Sequence, residues 1–317
     1  MSIGVLIVGL GQIGMGYDLG LDPDRYVQSH ARAFSQHPAF HLVAAVDPDP
    51  QRREVFGQNY PSPAYADLET ALARHQPGVV VIATPTQTHK DTLLKVLALA
   101  RPEVILCEKP LSYDTEEGRF MVKACLEKGV ALYVNYMRRS VPGFIEVKRL
   151  LDSAEIKGPV KGVTWYSKGF LHNGSHFFNL MEYWLGPMQS ASVLKQGRAW
   201  GADDVEPDVH VVFEKGEMVF LAAWEEAFSH YTVELLSPSG RLRCEQGGDV
   251  IQWQAAEVRD GHRALSSQSR AIDTGMSRYQ WHVTDQLARS MTGMQSALCR
   301  GEDALGTLAA MKNISGV

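Results

Sequence analysis

The sequence predicts an α/β protein, in which an N-terminal Rossmann domain with a doubly wound parallel sheet precedes a C-terminal α+β domain with a mostly antiparallel open sheet. Three observations support this prediction. Short apolar strands alternate with helical segments in the first part of the chain, and a glycine-rich turn follows the first strand. Further along, the strands show period-two patterning and are joined by turn sequences. The pattern changes near residue 137, so we predict two domains, 1–136 and 137–317.

The first strand and the turn after it carry a recognisable motif. Residues 3–8 are rich in branched apolar side chains, as in a strand buried on both faces. The next six residues form a G-x-G-x-x-G pattern before a predicted helix start, and glycines there permit a tight turn whose N–H groups suit a pyrophosphate. The residues predicted to contact a dinucleotide in this turn are Gly9, Gly11, Gln12, Ile13 and Gly14.

An acid follows the second predicted strand, residues 41–46. Asp47 is placed where an acid binds the ribose hydroxyls of a dinucleotide, and it would repel a 2′-phosphate. Although Arg52 and Arg53 are close in sequence, this favours NAD over NADP. The alternative is that Asp47 only caps the helix that begins near Pro48, and the two roles can coexist.

The later strands of the first domain also end in polar residues. Parallel strands present their carboxyl ends at one edge, where open α/β sheets bind ligands. The residues predicted at this edge are Thr84, Pro85, His89, Glu108, Lys109, Asn135 and Arg138, and all of them except Lys109 and Arg138 are assigned to the cofactor. Lys109 lies between an acid and a proline just after a buried strand, and this position indicates a catalytic role. The alternative for this segment is a solvated Glu-Lys pair at a turn.

The remaining elements follow from periodicity and from cap residues. The predicted helices span residues 29–37, 67–75, 90–100, 114–128, 142–153 and 279–296, with a last one from 303. The predicted strands of the second domain span residues 160–168, 209–213, 218–224, 231–236, 241–245 and 250–253.

Composition excludes several classes of function. The chain has 317 residues and a formal net charge of −5, with no basic stripe that would bind nucleic acid. No apolar run approaches the roughly 18 residues that span a bilayer. The 4 cysteines are scattered without metal-ligand spacing, which fits a reducing compartment. We therefore predict a cytoplasmic protein with neither a nucleic-acid nor a membrane partner.

A second candidate site lies in the predicted second domain. An amphipathic helix is predicted to begin at His176, with Asn179 on the same face. His172 and His176 have the spacing of a zinc pair, but the glutamate of H-E-x-x-H is lacking and Gly174 is predicted to keep His172 outside the helix. We predict no metal site. The alternative to a functional role for either histidine is a purely structural one.

Taken in order, these motifs resemble the Gfo/Idh/MocA oxidoreductases over nearly the whole chain, and Glu108-Lys109-Pro110 is the most specific of them. The resemblance implies that the first domain binds NAD and that the second shapes the substrate pocket. It also implies that the open sheet of the second domain pairs subunits, as a homodimer or homotetramer. The proline after the lysine is often cis in the family, and Pro110 matches that place.

The resemblance further implies catalytic roles. Lys109 would hydrogen-bond the reacting hydroxyl, and His176 would take its proton as hydride leaves the same carbon. His172 stands where the family commonly carries an aspartate, so a variant site in which His172 or Asn173 contacts the substrate is an alternative.

Two further residues are assigned to the substrate. Asn179 occupies a place where an aspartate is frequent in the family, and it is assigned to the substrate with Asn173. Arg138 and its neighbour Arg139 would bind a substrate carboxylate or phosphate. The alternative for these arginines is a salt-bridged domain junction.

The predicted function is hydride transfer between NAD(H) and a secondary alcohol of a small sugar-like substrate, such as a sugar, a cyclitol or a nucleotide sugar. Two alternatives belong to other classes. One is a regulator that binds the dinucleotide without chemistry. The other is a redox-neutral, NAD-dependent glycosidase or lyase.

Overall fold

The structure is a computed structural model that describes residues 2–316, and the chain divides into two compact units. The first unit contains the residues up to Ser140 together with Ser277–Gly306. The second unit contains Val141–Met276 and the residues from Thr307 onward. The prediction placed 137–317 in one continuous domain, so the return of 277–306 to the first unit was not anticipated.

The first unit is built on a parallel sheet. Its strands are β1 (Ile3–Val8), β2 (Phe40–Val46), β3 (Ala64–Tyr65), β4 (Val79–Ile82), β5 (Val104–Cys107) and β6 (Ala131–Val134). They lie in the order β6-β5-β4-β1-β2-β3, all parallel. The strand order therefore reverses between β1 and β4, which is where sheets of this kind hold ligands.

Helices cover both faces of this sheet. They are α1 (His30–Gln36), α2 (Pro50–Asn59), α3 (Leu68–Arg74), α4 (His89–Leu99) and α5 (Thr115–Lys128). Alternate side chains of β1 enter two separate apolar clusters, with Leu6 in one and Ile7 in the other. The doubly wound arrangement predicted from the sequence is confirmed.

The second unit contains the open sheet. Its strands are β7 (Val160–Tyr166), β8 (Met188–Trp200), β9 (Asp204–Phe213), β10 (Gly216–Ala222), β11 (Thr232–Ser237), β12 (Gly240–Glu245), β13 (Val250–Arg259), β14 (His262–Leu265) and β15 (Arg270–Ile272). The order is β14-β13-β12-β11-β7-β10-β9-β8, with β15 on β13. Within this second sheet, β7 and β10 form the one parallel pair of described strands, so the mostly antiparallel sheet is confirmed.

Two helices of the second unit, α6 (Pro142–Asp152) and α7 (Ser175–Leu185), pack together. Trp184 Nε1 donates to Phe144 O at 3.0 Å. A π-helical turn, Gly169–Gly174, leads directly into α7. Gly174 has helical backbone angles, φ −56° and ψ −33°, so His172 lies in a helical turn continuous with α7. His172 lies outside the α-helix, as predicted, because α7 begins at Ser175, but the turn that carries it is helical.

The last part of the chain contains α8 (Tyr279–Met291), β16 (Cys299–Arg300) and α9 (Gly301–Ser315). Helix α8 packs against α1, and β16 adds an antiparallel strand beside β6. These contacts explain why 277–306 belong to the first unit. Within residues 2–316, no helix has both the length and the apolar character needed to cross a bilayer.

Candidate cofactor and catalytic site

The glycine-rich turn after β1 is shaped by two of its three glycines. A Cβ on Gly9, whose φ is +100°, would lie 2.5 Å from Ala83 O, and a Cβ on Gly14 would lie 2.0 Å from Gly9 O. The nearest atom to a Cβ on Gly11 is Arg52 Nη1, at 3.9 Å. Gly9 and Gly14 are therefore needed for the turn itself, whereas a Cβ at Gly11 would not clash with the turn.

The helical turn within this motif begins at Gly11. The Met15 N–H donates to Gly11 O at 2.9 Å and the Tyr17 N–H donates to Gln12 O at 2.9 Å. The N–H groups of Gln12 and Ile13 stand at the start of this turn, where a helix binds anions. The first N–H groups of α1 serve another purpose, since that of His30 donates to Ile13 O at 2.9 Å.

Asp47 joins the ends of β1 and β2. Its Oδ2 accepts the Leu10 N–H at 2.7 Å, its Oδ1 accepts the Asp49 N–H at 2.9 Å, and its side chain is buried. Asp49, not Asp47, is the cap of α2, because its Oδ1 accepts the Gln51 N–H at 2.8 Å. The capping alternative for Asp47 was therefore wrong. The predicted contact with ribose stays a prediction.

His89 connects two segments at the carboxyl edge of the sheet. Its Nε2 lies 2.9 Å from Thr84 O, and its Nδ1 lies 3.3 Å from Leu111 O. The ring is 1% exposed, and burial lowers the pKa of His89. The side chain thus ties the Thr84-Pro85 turn to the segment after Pro110. Any effect of His89 on a cofactor would be exerted through that backbone.

Lys109 lies two residues after the end of β5 and precedes a cis peptide bond to Pro110, as expected. Its main-chain N–H lies 3.4 Å from Glu108 Oε2. The side chain is partly exposed, whereas Glu108 and Pro110 on either side are buried. The lysine is therefore carried on a well-packed segment at the ligand-binding edge of the sheet.

Glu108 belongs to a buried ring of four polar side chains. Its Oε1 accepts from His30 Nε2 at 2.8 Å and from Asn135 Nδ2 at 2.6 Å. Gln280 closes the ring, with its Oε1 3.1 Å from Asn135 Nδ2 and its Nε2 2.8 Å from His30 Nδ1. Burial opposes the charge of Glu108, but the hydrogen bonds from His30 and Asn135 and the nearby Lys109 charge hold its pKa below the ordinary value.

Sequence reasoning missed two members of this ring, His30 and Gln280. His30 is fully buried at the start of α1, where its neighbours gave no sign of a polar partner. Gln280 is 250 positions away from His30 along the chain, and only the return of α8 to the first unit brings them together.

The two arginines after β6 lie in different surroundings. Arg138 is 5% exposed, whereas Arg139 Nη2 lies 3.5 Å from Asp303 Oδ2 in the same unit. For Arg139 the structure therefore supports an ion pair. The substrate role of Arg138 stays a prediction.

The histidine motif of the second unit is held from β9. Asp204 Oδ1 accepts the Leu171 N–H at 2.9 Å and Oδ2 accepts the His172 N–H at 2.8 Å, while Glu206 Oε1 accepts the Gly169 N–H at 3.1 Å. Burial raises the pKa of Asp204, although these N–H donors favour its charged form. Asp204 and Glu206 were not singled out from the sequence, where they belong to no motif and precede the predicted strand 209–213.

The other predicted residues of this motif have different partners. Asn173 Nδ2 donates to Tyr231 Oη at 2.8 Å. Asn179 Nδ2 donates to Thr307 Oγ1 at 2.9 Å, and the Asn179 side chain is 1% exposed. His176 is partly exposed in the first turn of α7. Asn179 thus makes a buried hydrogen bond, whereas His172, Asn173 and His176 are partly exposed.

Among residues 2–316, no group of three or more histidine, cysteine or acidic side chains is arranged to hold a metal ion.

These features define a class of protein. A parallel sheet in the order of a Rossmann fold, a G-x-G-x-x-G turn at its switch point and an acid after β2 are the parts of a dinucleotide-binding oxidoreductase. Residues 3–136 match the model of the Gfo/Idh/MocA family, described as an oxidoreductase family with an NAD-binding Rossmann fold. The match to the Gfo/Idh/MocA oxidoreductases covers the Rossmann domain of this chain.

The chain is also similar to two proteins of named activity. The chain is 24% identical over 280 residues to 2,7-anhydro-N-acetylneuraminate hydratase of Mediterraneibacter gnavus, covering 78% of this chain and 70% of that protein. It is 31% identical over 171 residues to scyllo-inositol 2-dehydrogenase (NAD(+)) of Bacillus subtilis, covering 52% of this chain. That second match spans only 43% of the relative's own length.

Solved structures share the fold of the whole chain. A putative NADPH-dependent oxidoreductase from Desulfitobacterium hafniense has a TM-score of 0.81 at 16% identity, covering 100% of this chain and 95% of that one. The WlbA dehydrogenase from Bordetella pertussis, in complex with NADH and UDP-GlcNAcA, has a TM-score of 0.76 at 18% identity, covering 100% of this chain and 98% of that one.

Proposed function

We propose that the protein transfers a hydride between NAD(H) and a secondary alcohol of a sugar, a cyclitol or a nucleotide sugar. The observation that carries this proposal is the position of Lys109. A partly exposed lysine follows β5 at the same edge of the sheet as the glycine-rich turn, on a segment packed by Glu108 and His89. A cation at that edge suits a developing alkoxide.

The chemistry requires a base as well as a cation. A hydroxyl-bearing carbon releases hydride only as the hydroxyl proton is removed, and a histidine titrates in the right range for this. We assign proton removal to His176 and stabilisation of the alkoxide to Lys109, following the resemblance to the family. When bound, NAD supplies the hydride acceptor.

The chain's own residues fit such a cofactor. The N–H groups of Gln12 and Ile13 would hold the pyrophosphate beside the open space at Gly11. Asp47 would accept from the ribose hydroxyls with its remaining lone pairs, and Asn135 Oδ1 is a buried acceptor with no partner among residues 2–316. We propose NAD over NADP because Asp47 would oppose a 2′-phosphate.

The substrate would be a small polyol or sugar derivative. The relative named as an inositol dehydrogenase and the structure solved with a nucleotide sugar support these two classes. In this chain we assign substrate contacts to His172, Asn173 and Arg138, and we place Asn179 among the residues that support them. Arg138 would favour a substrate that carries a carboxylate or a phosphate.

The open sheet of the second unit supports an oligomer. On β7 the exposed Trp165, 38% accessible, stands between the buried Thr164 and Tyr166, so one sheet face carries an uncovered aromatic side chain. We propose that this face pairs subunits in a homodimer or homotetramer, in a cytoplasmic protein.

A second candidate function is a redox-neutral reaction in which hydride leaves the substrate and returns. The similarity over 78% of this chain to a protein named as a hydratase favours it. In such a reaction the same Lys109 and His176 would act, but NADH would not accumulate. A regulator that performs no chemistry is disfavoured by the match of residues 3–136 to an oxidoreductase family.

The test is a substrate panel with NAD, followed at the absorbance of NADH. Inositols, aldoses, sugar acids and nucleotide sugars are compared for the wild-type protein, Lys109→Ala and the exposed-lysine control Lys123→Ala. We expect NADH from one substrate class, abolished by Lys109→Ala and retained by Lys123→Ala. Turnover by Lys109→Ala at the wild-type rate would contradict the proposal. Product without net NADH would establish the redox-neutral alternative.

A further inference from the structure

The buried ring around Glu108 allows each donor and acceptor to be assigned from the one before it. A carboxylate oxygen only accepts, so the Asn135 atom 2.6 Å from Glu108 Oε1 is the amide nitrogen. The same nitrogen lies 3.1 Å from Gln280, which must present its oxygen there. Gln280 Nε2 then donates to His30 Nδ1 at 2.8 Å, and His30 donates from Nε2 to Glu108 Oε1 at 2.8 Å.

The consequence is that the side chain of Asn135 cannot turn over. Its nitrogen is held by two acceptors, Glu108 Oε1 and Gln280 Oε1, so its oxygen Oδ1 must point away from them. Asn135 is 3% exposed, and Oδ1 has no hydrogen-bond partner among residues 2–316. A buried acceptor of this kind costs free energy until a donor reaches it.

The ring depends on a segment that is remote in sequence. The Val27 N–H donates to Ser277 O at 3.0 Å, and the Gln280 N–H donates to Val27 O at 3.1 Å. These two main-chain bonds fix the start of α8 beside the start of α1. Gln280 is fully buried there.

We propose that His30 and Gln280 are positioning residues for the nicotinamide end of the cofactor. They hold Asn135 so that Oδ1 accepts an N–H of the nicotinamide carboxamide. Neither His30 nor Gln280 contacts the cofactor itself. The inference rests on the proposed NAD site, and it goes further by naming the ligand group that Asn135 recognises and the two residues that orient it.

The chemistry favours a carboxamide over other groups. An acceptor that is fixed and buried selects a donor, and a carboxamide provides an N–H₂ group on the part of the cofactor that reacts. A ribose hydroxyl is also a donor, and the experiment separates the two. The analogue 3-acetylpyridine adenine dinucleotide carries a methyl group in place of the amide N–H₂ and keeps both riboses.

The experiment measures the affinities of NADH and of the reduced 3-acetylpyridine analogue by calorimetry. Wild-type protein should bind NADH about tenfold more tightly than the analogue, as expected for one hydrogen bond to a buried acceptor. His30→Phe and Gln280→Leu should bring this ratio to about twofold or less. His30→Gln retains one donor and one acceptor and should keep much of the preference.

The control is His37→Gln, a buried histidine of the same region that lies outside the ring. It should leave the ratio at the wild-type value. Thermal melting establishes whether each variant is folded. If His30→Phe does not fold, Gln280→Leu provides the test. A wild-type protein without preference for NADH, or a preference that survives in His30→Phe and Gln280→Leu, would overturn the proposal.

The outcome is separable from that of the proposed function. Binding of NADH with the expected preference but without turnover of any substrate would contradict the hydride transfer and leave this inference standing. Turnover with NAD, together with a wild-type affinity ratio in the variants, would support the hydride transfer and contradict this inference. Failure of wild-type protein to bind either dinucleotide would overturn both.

Discussion

The N–H of Leu10 donates to Asp47 Oδ2 at 2.7 Å, so the acid at the end of β2 holds the turn at the end of β1. The other oxygen accepts the Asp49 N–H at 2.9 Å. A single buried carboxylate thus organises the two strand ends between which a dinucleotide's adenosine half would lie. Its structural role and its predicted contact with ribose are compatible, because each oxygen has more than one lone pair.

Asp47→Asn should weaken NADH binding by about tenfold and lower the discrimination against NADPH. An amide has one acceptor oxygen, so only one of the two N–H bonds is kept, and the charge that opposes a 2′-phosphate is gone. Fluorescence titrations with NADH and NADPH measure both effects. Asp49→Asn, at the cap of α2, is the control and should change neither affinity. An unchanged NADH/NADPH ratio in Asp47→Asn would contradict the assignment.

Gly14→Ala should abolish NADH binding and destabilise the protein. A Cβ at this position would lie 2.0 Å from Gly9 O, so the turn has to open. Gly57→Ala is the matched control, because a Cβ there meets nothing within 4 Å in α2. It should raise the free energy of unfolding by about 0.5–1 kcal/mol with unchanged NADH affinity. Equal behaviour of the two variants would show that the turn tolerates side chains.

The pH dependence of stability should report on Glu108. Hydrogen bonds from His30 and Asn135 outweigh burial and hold its pKa below the ordinary value of 4.5. A carboxyl whose pKa is lower in the folded than in the unfolded state adds stability above the unfolded value, and this is lost as the pH falls through the folded value. Relative to Glu108→Gln, the wild-type protein should be about 2 kcal/mol more stable at neutral pH.

The difference in stability between the wild-type protein and Glu108→Gln should shrink as the pH falls below 4.5, the ordinary pKa of a glutamate. Urea unfolding of both proteins across the acidic range measures it. Glu116→Gln changes an exposed residue and should follow the wild-type profile throughout. A stability difference between wild type and Glu108→Gln that grows on acidification would contradict a lowered pKa of Glu108 in the folded protein.

Asp204→Ala should destabilise the protein by about 3 kcal/mol and impair turnover without weakening NADH binding. The substitution leaves the N–H groups of Leu171 and His172 without their buried acceptor, so the turn before α7 loosens. The neighbouring Asp203→Ala changes an exposed residue and is the control. Thermal unfolding, NADH titration and turnover are compared. Wild-type turnover in a destabilised Asp204→Ala would show that the geometry of this turn does not matter for catalysis.

Local sequence patterns predicted the elements that bear on the cofactor, because the information there is local. The G-x-G-x-x-G turn, the acid at Asp47 and the Glu108-Lys109-Pro110 segment each follow a buried strand directly. The exposed strand β8 was missed because most of its side chains are solvent-accessible and show no apolar alternation. The π-helical turn was missed because Gly174 adopts ordinary helical angles, so its glycine was no sign of a break.

The residues that support the site were harder to find from the sequence, because they act across long separations. His30 and Gln280 meet only after α8 returns to the first unit, and Asp204 reaches His172 from a strand 32 positions away. A buried histidine or glutamine in a helix is otherwise unremarkable in sequence. The partners that hold a site in place depend on tertiary folding, whereas the motif residues follow from local rules.

The most direct test of the central claim follows the hydride itself. The substrate class that is active with NAD is prepared with deuterium on the carbinol carbons, and the nicotinamide formed by wild-type protein is analysed by mass spectrometry and NMR. We predict NADH that carries one deuterium at C4 of the nicotinamide and a slower rate than with the unlabelled substrate. Product formed while the nicotinamide stays free of deuterium, under single-turnover conditions, would contradict net hydride transfer from this substrate to NAD.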